Sequence, residues 1–250
     1  MPGPLYDRIG HGYAAQRKPD PRIAAAIRDA LGRAASVLNV GAGAGSYEPT
    51  DRRIVGLDPS RRMIEQRTGG IAVQGTALAL PFPDKTFDAA LAVLTVHHWG
   101  NWRAGIAEID RVARDRIVIL THDPAATCFA NFWLLRDYLN ELTTIAQAGM
   151  PPLADLADAI NGRVQELPVP WDCTDGFLSA YWRRPERYLD PRAREAISFF
   201  HQVDPALVKR RMARLRSDIE SGQWARKNRD LLRSPSIDLG YRLIIGEPGR

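Results

Sequence analysis

The chain has 250 residues, 45% of them hydrophobic and 25% charged, with a formal net charge of +5. That length allows one large domain, or a domain with a substantial insertion, and no apolar run approaches the roughly 18 residues of a membrane-spanning helix. Cys128 and Cys173 stand far apart without metal-ligand spacing, so neither a disulfide framework nor a metal site is implied. The stretch from Met1 to Arg8 lacks the apolar core of a signal peptide, and a cytoplasmic protein with no transmembrane segment is expected. Of the 34 basic residues only Lys18, Lys85, Lys209 and Lys227 are lysines. The arginine excess can reflect genome base composition as well as phosphate contacts, so nucleic acid is not the favoured partner.

In chain order, Tyr6 to Arg17 carries two tyrosines and several charges. Asp20-Pro21 then opens a helix, Asp as N-cap and Pro as first residue, with Ile23, Ile27 and Leu31 on one face. Val37-Leu38-Asn39-Val40 runs into Gly41-Ala42-Gly43-Ala44-Gly45-Ser46, a buried strand turning tightly into a loop with little side chain to keep a ligand away. The next strand, Ile54 to Leu57, stops at Asp58, where a carboxylate is placed to accept ribose hydroxyls. The expected cofactor is built on adenosine. A dinucleotide fingerprint spaces its glycines G-x-G-x-x-G, whereas Ser46 occupies the third position here; the phosphate loop is absent, since no lysine lies between Lys18 and Lys85.

Further strands are predicted at Ile71 to Gln74, Phe87 to Leu94 and Arg116 to Leu120, with a helix between the last two capped by Asn101 and turning Ile106, Ile109 and Val112 inward. Right-handed crossovers stack such units into a parallel sheet. Phe132, Leu135, Leu139, Leu142 and Ile145 predict one helix ending near Gly149, broken by Pro151-Pro152. Val164 to Val169 reads as a sixth strand and Tyr241 to Ile245 as a seventh. The roughly seventy residues between them have a mostly helical pattern, as in Val208, Met212, Leu215 and Ile219. So long an excursion suits a cap over the carboxyl ends of the strands, where open α/β sheets bind ligands. Within it, 204–233 holds nine Lys/Arg against four Asp/Glu, a solvated face or an anion-binding one.

Four blocks in this order resemble the class I S-adenosylmethionine-dependent methyltransferases, in the branch of small-molecule and quinone-biosynthesis enzymes. They are Val37 to Gly45; Gly56 to Ser60 with Met63; Gly75-Thr76-Ala77 leading to Leu80 to Asp88; and Leu94-Thr95-Val96-His97-His98-Trp99. The resemblance covers roughly residues 36 to 122, the series being far more specific than any one block. It implies an α/β fold, a Rossmann-like seven-stranded sheet whose last strand enters antiparallel, with a helical cap inserted before that strand. The organisation would be an N-terminal segment and helix over the cofactor site (1–35), a cofactor-binding core (36–123), substrate-side helices, sixth strand and cap (124–238), and a final strand and tail (239–250).

The resemblance also implies S-adenosyl-L-methionine as cofactor, S-adenosyl-L-homocysteine as product, and a cofactor site of Gly41, Ala42, Gly43, Asp58, Pro59, Ser60, Met63, Gly75, Thr76, Ala77, Leu94 and Thr95. Tyr13 and Arg17 would join them if the N-terminal segment folds back across the sheet, Arg17 then pairing with the methionine carboxylate. Plainer readings stand beside these: a tight turn for the glycines, a helix cap for Asp58, core packing for Met63, a solvated charge for Arg17. Asn39 and Thr76 replace the acids usual at their positions, and a threonine accepts from an adenine amino group less strongly than a carboxylate.

His98, His97 and His122 follow the fourth and fifth strands and are candidate bases for an O–H or N–H nucleophile, or else packing residues. The aromatic set Trp99, Trp102, Trp133, Trp171, Trp182, Phe129, Phe132, Phe177 and Tyr181 suggests an apolar or aromatic acceptor under the cap, though each ring alone reads as core. The expected activity is transfer of a methyl group to a small molecule by in-line displacement; an RNA base methyltransferase and a non-catalytic S-adenosylmethionine-binding protein are the alternatives. The sequence leaves the acceptor and the oligomeric state open.

Overall fold

The computed structural model describes residues 5–10, 12–123 and 125–249. Nine strands are found among them: β1 (Ser36–Val40), β2 (Arg53–Asp58), β3 (Ile71–Gln74), β4 (Phe87–Val93), β5 (Ala113–His122), β6 (Arg163–Glu166), β7 (Val169–Pro170), β8 (Ser236–Ile237) and β9 (Tyr241–Gly246). Seven form one sheet in the order β3-β2-β1-β4-β5-β9-β6. The strands from β3 to β5 run parallel, while β9 enters antiparallel between β5 and β6. This is the seven-stranded α/β sheet expected, with its last strand reversed. The chain builds outward from β1 to β3 and returns to β4, so the order reverses between β1 and β4, and a ligand crevice opens there at the carboxyl ends.

Alternation along the central strands divides the core between the two faces. Val37, Ala89, Leu91, Val118 and Leu120 face one layer, and Leu38, Ala90, Ala92, Ile117 and Ile119 the other. The helices are α1 (Leu5–Ile9), α2 (Tyr13–Gln16), α3 (Pro21–Leu31), α4 (Arg61–Glu65), α5 (Trp102–Val112), α6 (Thr127–Ala130), α7 (Trp133–Asp137), α8 (Glu141–Gly149), α9 (Leu153–Asp158), α10 (Pro191–Glu195), α11 (Pro205–Glu220) and α12 (Gln223–Lys227). On the first layer α3 starts as expected, its Asp20 carboxylate accepting from the Arg22 amide at 3.0 Å, and buries Ile23 and Ile27. On the second, Asn101 caps α5, accepting from the Ala104 amide at 3.2 Å, and Ile106, Ile109 and Val112 turn inward.

Three expectations beyond β5 are corrected. The apolar run from Phe132 to Ile145 is two helices, α7 and α8, interrupted at Tyr138, whose hydroxyl donates to Asp218 at 2.6 Å. The sixth strand ends at Glu166; Val169–Pro170 instead pairs with Ser236–Ile237 as a separate two-stranded ladder. The excursion is less helical than expected: Trp171 to Arg184 contains no helix and is organised by turns and side-chain bonds to main-chain carbonyls. α11 is its one long helix, burying Val208, Met212 and Leu215 and leaving its basic residues outside. Among the described residues no helix is long and apolar enough to cross a membrane.

Candidate functional site

A cleft of about 610 Å³ lies over the carboxyl ends of β1, β2 and β4. Its floor is the loop after β1. Gly41 and Ala42 both donate their amides to the Leu57 carbonyl (2.8 and 2.9 Å), Gly43 donates to Asp58 Oδ2 (2.8 Å), and Gly45 donates to the Ala42 carbonyl (2.9 Å). A loop that spends these amides internally is not the open cradle of N–H groups that holds a phosphate. Gly41 has φ +70°, and a Cβ there would lie 2.8 Å from Thr95 Cβ and 2.9 Å from its Cγ2, with Oγ1 nearer still. The absent side chain therefore makes room for Thr95, whose Oγ1 also accepts from Trp99 Nε1 at 3.3 Å.

Asp58, 8% exposed, joins the first two strand ends: beyond its bond from Gly43, Oδ1 accepts from the Ser60 amide at 2.8 Å. Burial raises its carboxyl pKa, against the bonds from Ser60 and Gly43 that lower it. A carboxylate offers about four lone-pair sites, so acceptor capacity remains on both oxygens. Ser60, not Asp58, caps α4, accepting from the Met63 amide at 3.2 Å, and its hydroxyl donates to Asp7. Pro59, Met63, Thr76 and Ala77 complete this wall; Thr76 Oγ1 accepts from the Leu78 amide at 3.1 Å. Gly75 does not line the cleft. Its amide bonds the Asp58 carbonyl behind the wall at 3.1 Å, tying β3 to β2.

On its other side the cleft is lined by Tyr6, Tyr13 and Arg17 of the N-terminal segment, its roof. Arg17 is already met there by an internal carboxylate. Nε and Nη2 donate to Asp175 at 2.6 and 3.3 Å, and Nη1 donates to the Tyr13 hydroxyl at 2.7 Å. Burial opposes the guanidinium charge and Asp175 restores it. Asp175 is fully buried and also accepts from the Tyr47 hydroxyl at 2.8 Å. Sequence reasoning missed Asp175: its only local signal is an Asp-Gly turn, and Arg17 lies 158 residues away. Tyr6 and Tyr47 also line the cleft without having been named as site residues, as do Asn39 and Ser46, which the sequence marked only as departures from familiar patterns.

Across Leu94 and His97 from the cleft lies a smaller inner chamber of about 50 Å³, whose wall shares Tyr6, Arg17, Leu94 and His97 with it. Leu94 is held at φ +51°, an unusual conformation for a branched side chain, with its amide bonded to the Leu120 carbonyl at 2.8 Å. Phe129, Met150, Phe177, Phe199, His122 and Tyr241 form much of the remainder. Of the expected aromatic set, only Phe129 and Phe177 reach this chamber. Trp99 lines the cleft, Trp171 is exposed, and Trp133 and Trp182 are core: Trp133 Nε1 donates to the Trp182 carbonyl at 2.7 Å, and Trp182 Nε1 to the Val169 carbonyl at 3.0 Å.

The three candidate histidines fall in different surroundings. His98 is exposed on the cleft side, its Nε2 3.4 Å from the Tyr6 hydroxyl, yet the surrounding protein desolvates it enough to push its pKa down to about 4. His97 borders cleft and chamber, its ring centroid 3.9 Å from that of His98, and burial lowers its pKa well below the usual value. His122 is in the chamber only; burial pushes it down to about 3, Arg242 adding to the fall and the Leu239 main chain and Asp238 opposing it. All three are neutral near pH 7. Among the described residues no group of three His, Cys, Asp or Glu could hold a metal ion.

Residues 38–119 match the family model described as a methyltransferase domain. A solved structure from Anabaena variabilis, assigned as a methyltransferase of an antibiotic biosynthesis pathway, is 30% identical, with a TM-score of 0.86 over 92% of this chain and 98% of that one. The methyltransferase YcgJ of Bacillus subtilis is 33% identical over 114 residues, 38% of this chain and 45% of YcgJ, so the match spans less than half of that relative. The demethylmenaquinone methyltransferase of Tropheryma whipplei is 29% identical over 164 residues, 59% of this chain and 68% of that protein.

Proposed function

The chain belongs to the S-adenosylmethionine-dependent methyltransferases, and from that premise we propose that it methylates a small molecule whose reacting end enters the inner chamber. The observation that carries this reading is the paired cavity, a cleft of small-ligand size and a smaller one beside it that share Tyr6, Arg17, Leu94 and His97. The cleft suits the cofactor on its own chemistry. Asp58 keeps acceptor capacity for ribose hydroxyls, and its volume lies within the usual range for small-ligand sites, while the internally bonded loop amides disfavour a pyrophosphate. Asp58, Gly43, Ser60, Met63 and Thr76 would hold the nucleoside, and Tyr13 and Arg17 the amino-acid end. Arg17 acts there as part of a neutral pair with Asp175, offering its remaining N–H groups rather than an unmatched charge.

Bound S-adenosylmethionine supplies a methyl group already activated on a sulfonium. The protein's share is to align the acceptor and exclude water. Tyr6 and the N-terminal segment close the cleft, and His97 and Leu94 stand where an acceptor atom meets the cofactor. A chamber of about 50 Å³ has room for roughly three to five water molecules, the end of a small ring rather than the enclosing pocket a flipped base needs. We place this chemistry in the cytoplasm, a setting that suits the two free cysteines, Cys128 and Cys173.

The test is calorimetry with S-adenosylmethionine and S-adenosylhomocysteine, followed by methyl transfer to a panel of small phenols, carboxylic acids, amines and quinols, with transfer RNA alongside. Cofactor binding with turnover of a small acceptor is the expected result. Turnover of RNA alone, or binding without turnover on a broad panel, would overturn the small-molecule reading.

A further inference from the structure

The inner chamber contains a buried polar side chain with no well-formed bond. His122 ends β5, is 5% exposed, and is wedged between the rings of Phe129 and Tyr241, with centroids 4.0 and 5.2 Å away. Neither ring nitrogen makes a hydrogen bond of normal geometry, although the Leu239 main chain lies near enough to act on the ring. Buried polar groups in folded proteins are almost always bonded, so an imidazole with no well-formed bond at either nitrogen, in a chamber wall, points to a ligand that bonds it. The surrounding walls are flat and apolar, from Phe129, Phe177 and Phe199, and suit a planar ring. Among the described residues Arg17 is the only formal charge on the chamber wall, and Asp175 neutralises it. An ionised acceptor would find no counter-charge.

We propose that the chamber receives the ring hydroxyl of a compact, uncharged acceptor, a phenol or an enol, and that His122 accepts its hydrogen bond and then its proton. This rests on the methyltransferase reading and names the acceptor class for it. In the step, the acceptor oxygen bonds to the methyl carbon as the carbon–sulfur bond breaks, and the O–H proton passes to His122. The positive charge lost at sulfur reappears on the imidazolium, so the site's net charge is unchanged. The weak basicity of the buried imidazole suits this order of events. An oxygen gaining a methyl group while still protonated is a strong acid and yields to a weak base. An alkylammonium, which holds its proton near pH 10, does not.

The test uses phenol and its methyl ether, anisole, as probes of the protein saturated with S-adenosylhomocysteine, with affinity read by calorimetry and the His122 ring nitrogens by NMR. Phenol is expected to bind about tenfold or more tightly than anisole, for one hydrogen bond to a buried acceptor, and to shift a His122 nitrogen resonance. In His122→Phe, which keeps an aromatic ring against Phe129 and Tyr241, that preference should vanish while S-adenosylhomocysteine affinity stays at the wild-type value. Equal binding of phenol and anisole by wild-type protein, or a preference that survives in His122→Phe, would overturn the proposal and leave the methyltransferase reading intact. Failure to bind S-adenosylhomocysteine would overturn both. The wild-type comparison is decisive by itself if the variant does not fold.

Discussion

Gly41→Ala separates two reasons for a glycine at the strand-to-loop turn. Gly41 sits at φ +70°, and a Cβ there would lie 2.8 Å from Thr95 Cβ and 2.9 Å from Cγ2. The left-handed backbone costs an L-residue roughly 1–2 kcal/mol, and forcing a methyl group into filled space costs typically about 1–3 kcal/mol. The expected destabilisation is thus about 2–5 kcal/mol. Only the second part involves Thr95. Thr95→Ala removes Oγ1 and Cγ2, gives up the bond from Trp99 Nε1, and leaves the backbone strain untouched. In a double-mutant cycle Thr95→Ala should therefore be less costly beside Gly41→Ala than in wild-type protein, by about 1 kcal/mol or more. Urea denaturation of the four proteins, with and without S-adenosylhomocysteine, measures the coupling and any separate effect on the ligand. Additivity within about 0.5 kcal/mol would refute the steric argument, and the glycine would have to be explained by the approach of the ligand.

Asp58→Ala should weaken S-adenosylhomocysteine by roughly 1.5–3 kcal/mol, as for hydrogen bonds lost from a charged acceptor; unchanged calorimetric affinity would remove Asp58 from the site. Asp175→Ala should cost about 3–5 kcal/mol by stranding the Arg17 guanidinium and should lower cofactor affinity as well; an unchanged melting temperature would show that Arg17 finds another partner. Trp182→Ala should behave as a core deletion, destabilising by about 3–5 kcal/mol with acceptor KM preserved in the folded fraction; a raised KM at full stability would return Trp182 to the acceptor site. His122 folds with its pKa depressed from 6.5 to about 3, so the unfolded chain binds the extra proton and stability falls as pH drops through that window. His122→Phe should flatten the slope of stability against pH there by up to about 1.4 kcal/mol per unit, and an unaltered slope would contradict the buried neutral imidazole.

The central strands were readable because they are buried on both faces, which makes β1 and β4 largely apolar between turn signals, interrupted by Ser36, Asn39 and Asp88, rather than alternating. The caps at Asp20 and Asn101 were equally legible, being local. Beyond β5 the apolar spacing misled. Phe132, Leu135, Leu139 and Leu142 are all buried as their period requires, but burial does not demand one continuous helix, and the Tyr138 bond to Asp218 lies 80 residues away. The cleft wall was legible as a set of strand ends, whereas its roof depends on Asp175, fixed by tertiary pairing with Arg17 and Tyr47. Trp182 looked like part of a pocket only because composition cannot say which way a ring faces. His122 stood out merely as a histidine after a strand; its lack of a well-formed bond is a property of the packed chamber.

The bond between Arg17 and Asp175 limits how such a protein could be recombined. Exchanging the stretch that follows β5 for that of a relative, in the hope of redirecting the enzyme to another acceptor, would also remove the counter-ion of a guanidinium that stays behind in the N-terminal segment. Thr174 and its link to Asp20, at 3.2 Å, would leave with it. A transplanted cap that matched the sheet in length and shape but lacked an acid at this point would damage the roof of the cleft before any new acceptor specificity could be read. A workable graft joint therefore lies on either side of a preserved Cys173-Thr174-Asp175-Gly176 turn, so that acceptor-facing surfaces are exchanged around it and the roof of the cleft keeps its own anchor.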